Sequence, residues 1–564
     1  MAQHVDKERA GEQPGSARDR ALEFEARYAD EIAAVHPKLQ DGAKNLVHYL
    51  AMRENLPGLG TRNAMADVHK KAVFGEGPED RNVCIMVTLP KEAASNESLV
   101  SEMIAAGMNV ARINCAHDDE QDWAAMVANV RRASENAGAD CRVFMDLAGP
   151  KLRTGELRPG PRVFHIKPRR DPLGRIIAPR RIRLIPDDVV WSGTKTAIVP
   201  VPRECIEYSH VGDEIRFKDT RGKKRRLRVI QKDDKGLVLE IFKGAYIATG
   251  TKLRLHREEE GEKLSYRVGE LPTVEQPILL CPGDTLTLDG ESIPGAPAIE
   301  GDDGQIVEHA HISCRQPEAF EFVSAGDRIS LNDGKISGVI RTVRSSQLEI
   351  EITKAKPTGS RLRGDRGINF PDSDIKLPGL TAADKANLKF VTGSADAVGL
   401  SFVKRPADII SLQDELDKLD DEEHGLVIKI ETRKGFKNLP RLLLTAMRRY
   451  PVAVMIARGD LAVECGWERL AELQEEILWL CAAAHVPVIW ATQVLEHKTK
   501  KGLPSRAEIS DAAMSQRADC VMLNKGPHIL AAIRMLDDIL RRMQARQYKK
   551  TARLGRPGLT KGPD

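Results

Sequence analysis

Lys429 and Glu431 stand two residues apart in the apolar run Leu426 to Glu431 (LVIKIE), and a strand puts both side chains on one face. Asp460 closes the next such run within Val454 to Glu464 (VMIARGDLAVE), where Gly459 lets backbone approach a ligand and a helix is expected to begin. A third run, Val488 to Glu496 (VIWATQVLE), delivers Thr492 in the same way. Two carboxylates from adjacent strand ends make a hard oxygen site suited to Mg²⁺, and a neighbouring ammonium can neutralise a phosphoryl group held there. An ordinary ion pair at a sheet rim accounts for the same spacing about equally well.

Such residues need a scaffold that ends many buried strands at one rim. From Val83 onward short apolar runs alternate with amphipathic helices. Val83 to Thr88, Asn109 to Asn114 and Arg142 to Asp146 read as strands, with helices at Glu97 to Ala106 and Glu120 to Glu135. The series resumes with strands at Ala395 to Ser401, Leu426 to Glu431, Val452 to Ala457, Pro487 to Thr492 and Asp519 to Asn524, each followed or preceded by a helical stretch. Three strands and five make eight, the number that closes a parallel (β/α)₈ TIM barrel. The predicted fold is α/β, with an inserted β-rich lid domain and an N-terminal helical extension. The predicted boundaries are 1–80 for a disordered lead and the helical extension, 81–155 and 377–547 for the two parts of the barrel, 156–376 for the lid, and 548–564 for a disordered basic tail.

The insert contains an internal repeat. Val211 to Leu253 resembles Ala325 to Leu362, each opening on a Gly-Asp turn, and Pro282 to Gly290 (PGDTLTLDG) repeats the opening again. Lying between the third strand and third helix, the insert stands at the rim where a mobile lid can act. Basic clusters at Lys167 to Arg170, Arg180 to Arg183 and Lys223 to Arg228 read as protection of edge strands in preference to a polyanion site.

With 564 residues the chain exceeds one compact core. A net charge of +4, with 30% charged residues, argues against a nucleic-acid partner. Nine cysteines scattered without a CxxC pair read as reduced core thiols of a cytoplasmic protein. No apolar run approaches membrane-spanning length, so no membrane partner is expected.

The barrel portion resembles the pyruvate kinase family through Gly107 to Asn114 (GMNVARIN), Asp146 to Gly155 (DLAGPKLRTG), Val427 to Glu431 (VIKIE), Met455 to Leu461 (MIARGDL) and Ala491 to Glu496 (ATQVLE), in family order. The insert matches the family's lid most clearly in Gly326 to Gly334 and Arg366 to Asn369. The resemblance implies phosphoryl transfer between phosphoenolpyruvate and ADP, giving pyruvate and ATP. Glu431 and Asp460 would ligate Mg²⁺ or Mn²⁺, Lys429 and Arg112 would meet the phosphoryl group, and Gly459 and Asp460 amides would hold the substrate carboxylate. Thr492 would help protonate the enolate carbon. Asn114, His117, Arg153 and Arg366 would lie on the nucleotide side. The resemblance also allows a homo-oligomer.

The departures from the family carry expectations of their own. Ala116 and Leu147 replace hydroxyl residues that help bind potassium, while Lys151 is the lysine that marks potassium-independent members, its ammonium substituting for the cation's charge. No K⁺ requirement is therefore expected. Leu523 to His528 (LNKGPH) replaces the segment that contributes a serine to the proton relay, and Thr88 to Pro90 (TLP) lacks the usual Gly-Pro on the nucleotide side. The family's C-terminal α/β domain is expected to be missing, and effector regulation through it with it. Two other readings fit the altered segments: an enzyme using the same metabolites with a different acceptor, and a non-catalytic metabolite-binding sensor.

Overall fold

The computed structural model describes residues 29–51, 64–78, 80–189, 197–256, 264–301, 303–421 and 424–544. The expected disordered lead and basic tail lie outside them. Eight parallel strands close a barrel: β1 (Cys84–Thr88), β2 (Val110–Asn114), β3 (Arg142–Asp146), β4 (Ala397–Leu400), β5 (Gly425–Ile430), β6 (Val452–Ala457), β7 (Val488–Ala491) and β8 (Cys520–Leu523). The expected α/β barrel with an inserted β-rich region is the fold observed. Closure comes from Cys84 opposite Cys520 and, across the insertion, from Ala397 opposite Phe144.

Alternation divides each strand between two cores. Met86, Val110, Phe144, Ala397, Val427, Met455, Ile489 and Met522 fill the barrel interior, while Ile85, Val143, Val398, Ile428, Val454 and Val521 face the surrounding helices. The interior parity continues up β1, β2, β3 and β5 to Thr88, Arg112, Asp146 and Lys429. Polar residues at the strand ends thus form the top layer of a packed interior. At the opposite end Val73 and Phe74, from the helix Ala64–Phe74, join that core and plug its base. The helix Gln40–Ala51 packs Ala43, Leu46 and Val47 into the outer core, and His69 Nδ1 hydrogen bonds to the His485 carbonyl at 2.9 Å.

The helices begin where side chains satisfy their first amides. Asn96 caps Glu97–Ala105, Asp119 caps Glu120–Ala137, and Thr381 with Asp384 forms a reciprocal capping box on Ala382–Thr392.

Between β3 and Ala382–Thr392 the chain builds two separate β units. The first has a seven-stranded sheet whose core includes Ile182, Leu184, Phe217, Leu227 and Leu239. The second has a six-stranded sheet around Leu286, Leu288, Ile329, Ile350 and Ile352. The internal repeat is visible in both. Gly212, Gly283 and Gly326 take φ of 100, 94 and 98°, and their amides bond to the carbonyls of Val229, Ile352 and Ile340. Each following aspartate accepts the amide three residues earlier: Asp213 from His210, Asp284 from Cys281, Asp327 from Ser324, at 2.8, 2.7 and 3.0 Å. Where the first unit leaves and rejoins the chain, the Val274 amide donates to the Pro161 carbonyl at 3.0 Å.

The edge-strand reading is overturned for two of the three basic clusters; the third, Lys167 to Arg170, runs into Arg169–Arg170, one strand of a two-stranded ribbon and so an edge. Arg180 to Arg183 lie on Arg180–Pro186, between Gly236–Ile241 and Ala197–Val201; Lys224 to Arg228 lie on Lys224–Asp233, also central. The edges of that sheet are Ala197–Val201 and Ser265–Arg267. None of the nine cysteines forms a disulfide, and eight of them are buried. Among the described residues no helix is long and apolar enough to cross a membrane.

Candidate active site

Parity and register bring the site together. Arg112 sits opposite Thr88 on β1, Asn114 opposite Asp146 on β3, and Asp146 opposite Gly399 on β4, so β1 to β5 converge on one interior layer. Asp146, wholly buried, is its hub. Arg112 donates to Asp146 Oδ2 from Nε at 3.0 Å and from a terminal nitrogen at 2.5 Å, and to Thr88 Oγ1 at 2.8 Å. Lys429 Nζ reaches the same Oδ2 at 3.2 Å, Ser401 Oγ at 2.7 Å and Glu431 Oε1 at 3.3 Å.

Burial alone would raise the Asp146 carboxyl, but Lys429 and Arg112 outweigh it and hold the group below the usual range. Burial would likewise deprotonate Lys429, yet Asp146 and Glu431 keep its ammonium favoured. Glu431 goes the other way. Burial, reinforced by Asp460, lifts it above the ordinary carboxylate value despite Lys429. Its Oε2 accepts the Phe402 amide at 2.6 Å, and Phe402 itself takes a φ of 56° at the turn after β4.

Asp460 lies in the first turn of Arg458–Cys465, directly after β6. Lys151 Nζ holds it through both oxygens, at 3.1 and 3.0 Å, and also lies 5.5 Å from the Phe402 ring centre. Lys151 is fixed because Arg153 and Thr154 pair with Gly367 and Cys314 of the second β unit. The Gly459 amide is already engaged, donating to Thr492 Oγ1 at 2.9 Å. Thr492 and Gln493 have φ of 65 and 59°, a left-handed turn in which Thr492 is strained. Arg458 braces that turn from below, donating to the carbonyls of Ala491 and Thr492 at 2.9 and 2.6 Å while ion-paired to Asp511.

The expected nucleotide side is looser. Burial, then Lys525 and Arg153, depress the His117 imidazole, so these three side chains share one cationic neighbourhood. Arg153 also pairs with Asp365 at 3.6 Å. The Asn114 side chain accepts the Ala116 amide at 3.2 Å, and Arg366 enters through its backbone, both its amide and its carbonyl bonding to Thr154. Ser401, Thr88 and the Phe402 amide were missed as site groups. Interior parity was the available signal for Ser401, two residues beyond Gly399.

Among the described residues no three His, Cys, Asp or Glu side chains form a ready-made metal cage. Glu431 and Asp460 are instead two mutually repelling carboxylates beside two ammoniums, a donor set that fits a hard cation keeping water and substrate oxygens in its remaining positions.

A family model described as pyruvate kinase, barrel domain, matches residues 80–172 and 299–527. The pyruvate kinase PKLR of Rattus norvegicus is 25% identical over 483 residues, which is 83% of this chain and 61% of that protein. The pyruvate kinase of Geobacillus stearothermophilus is 24% identical over 83% of this chain and 58% of its own. That of Bacillus licheniformis is 29% identical over 55% of this chain and 53% of its own. The chain therefore spans about three fifths of the length of the first two of these relatives. The matched stretches take in β1 to β8 and every strand end described above, so barrel, site layer and sequence agree: the chain belongs to the pyruvate kinase family.

Proposed function

We propose that this chain transfers the phosphoryl group of phosphoenolpyruvate to ADP, yielding pyruvate and ATP, in the cytoplasm. The observation that carries the reading is the pairing of Arg112 and Lys429 on the single carboxylate of Asp146, beside Glu431 and Asp460. With Glu431 and Asp460 committed to a divalent cation, the two cations on Asp146 would be left with one buried anion between them and poised to receive a second. The guanidinium fork of Arg112 suits a phosphate held before transfer, and the Lys429 ammonium suits the charge that builds on the phosphoryl oxygens during it. Glu431 and Asp460 would hold Mg²⁺ or Mn²⁺, which when bound supplies Lewis-acid neutralisation of substrate oxygens. Because Gly459 donates into Thr492 Oγ1, the hydroxyl proton of Thr492 is directed elsewhere, available to the enolate carbon in the step that completes pyruvate. The cationic neighbourhood of His117, Arg153 and Lys525 supports a nucleotide phosphate on that side.

Lys151 beside Asp460 supplies a fixed positive charge where a monovalent cation would otherwise act. The test is a coupled assay for pyruvate with phosphoenolpyruvate, Mg²⁺ and ADP, run in potassium and in an inert cation. Turnover should be equal in both salts, and Lys429→Met should lower it at least about 10²-fold while leaving the circular dichroism unchanged. Phosphoenolpyruvate binding without turnover would favour a metabolite sensor, and a severalfold gain in potassium would remove the role given to Lys151.

A further inference from the structure

A second concentration of positive charge lies in the first β unit, drawn partly from the stretch that follows the Asp146 to Gly155 motif and partly from well beyond it. Arg170, Arg221, Arg225 and Lys243, with His165, line a pocket of about 430 Å³. They come from four separate stretches of chain, and most of the pocket falls in the part between the two stretches that match the family model.

The pocket is built before anything binds. Asp219, buried beneath it, receives Arg221 through Nε at 3.2 Å and a terminal nitrogen at 2.7 Å, and Arg225 at 3.4 Å. Its other oxygen takes the amides of Arg221 and Lys223, both at 3.0 Å, which fixes the hairpin tip. Arg225 Nε and Arg221 also donate to the Gly244 carbonyl, at 2.7 and 3.2 Å. One wall is the His165 ring stacked on Tyr246 at 4.0 Å, with the Arg221 guanidinium 4.7 Å from the Tyr246 ring centre. Asp219 is thus spent in aiming two guanidiniums. Among the described residues neither Arg170 nor Lys243 has a carboxylate within ion-pair distance, so four cations face one carboxylate.

We propose that this pocket binds a compact metabolite carrying two phosphoryl groups. Three uncompensated charges call for more than one phosphate, each of which carries about −1.5 to −2, and forked guanidiniums match phosphate oxygens in pairs. The volume suits a small molecule. The Tyr246 ring is engaged by His165 and Arg221, so phosphate contacts, with no stacked base, account for recognition.

The test is calorimetric titration of the full chain with inorganic pyrophosphate, in parallel with inorganic phosphate and a 20-nucleotide single strand, on a Lys429→Met background so that the catalytic site is disabled. Pyrophosphate should bind at least tenfold tighter than phosphate. Arg170→Glu and Lys243→Glu, both exposed substitutions, should each weaken it tenfold or more at unchanged melting temperature. Undetectable pyrophosphate binding, or binding indifferent to both substitutions, would overturn the proposal. Tighter binding of the oligonucleotide, lost in the same variants, would reassign the pocket to nucleic acid.

Discussion

Asp146 is the acceptor on which Arg112 and Lys429 meet, so its removal leaves Arg112 buried without a carboxylate and Lys429 with Glu431 alone. Asp146→Asn should destabilise the fold by about 3 kcal/mol or more and lower turnover by at least about 10²-fold, read by urea melts and the coupled assay. The pH dependence separates it from Glu431. Asp146 titrates below its unfolded value, so its ionised form stabilises the protein above the ordinary carboxylate range, and that contribution disappears as pH falls through the depressed value. Glu431 titrates above its unfolded value, so its contribution is complete at acid pH and is lost as pH rises through the elevated one. In chelator, Glu431→Gln should therefore melt higher than the parent at pH 7, with the difference shrinking toward pH 4. Added Mg²⁺ should stabilise the parent at pH 7 and leave Glu431→Gln unmoved. A variant that melts lower than the parent throughout would contradict the assigned direction.

The three Gly-Asp turns are the clearest repeated element. At Gly212, Gly283 and Gly326 an added methyl would meet nothing within 4 Å, so alanine there incurs only the backbone cost of a positive φ. Each substitution should destabilise its own β unit by about 1–2 kcal/mol, measured by urea melts. Markedly unequal losses would mean that the turns are not equivalent. The elements were legible in the sequence where burial leaves a strong pattern. In Val452–Ala457 all six residues are buried, and such a strand reads as an unbroken apolar run. Ser401 was not legible as a partner of Lys429, because register between β4 and β5, and not local composition, brings a lone serine there. The hub role of Asp146 was hidden for the same reason, although its motif was quoted. The clusters at Arg180 to Arg183 and Lys223 to Arg228 were misread because charge spacing reports which face meets solvent and says nothing of a strand's rank within its sheet. Arg225 and Arg170 converge only through the fold.

At the scale of the molecule, the first β unit has its own core and is joined to the rest where Pro161 and Val274 meet. Excising 162–273 and joining the ends should leave the barrel and second β unit folded, and 161–274 alone should fold as a β protein; chromatography and circular dichroism of both pieces check this. Collapse of the excised chain would mean that the unit supports the barrel. The pairing of Phe144 with Ala397 has a further consequence, in time. β3 is finished early in synthesis, but its neighbour β4 emerges only after both β units have been made. At ordinary elongation rates that interval is roughly 10–50 s, during which the edge of β3 stands unpaired and three strands of an unclosed barrel await their partners. The nascent chain, more than the finished protein, is where this architecture is open to aggregation and where a chaperone would find it.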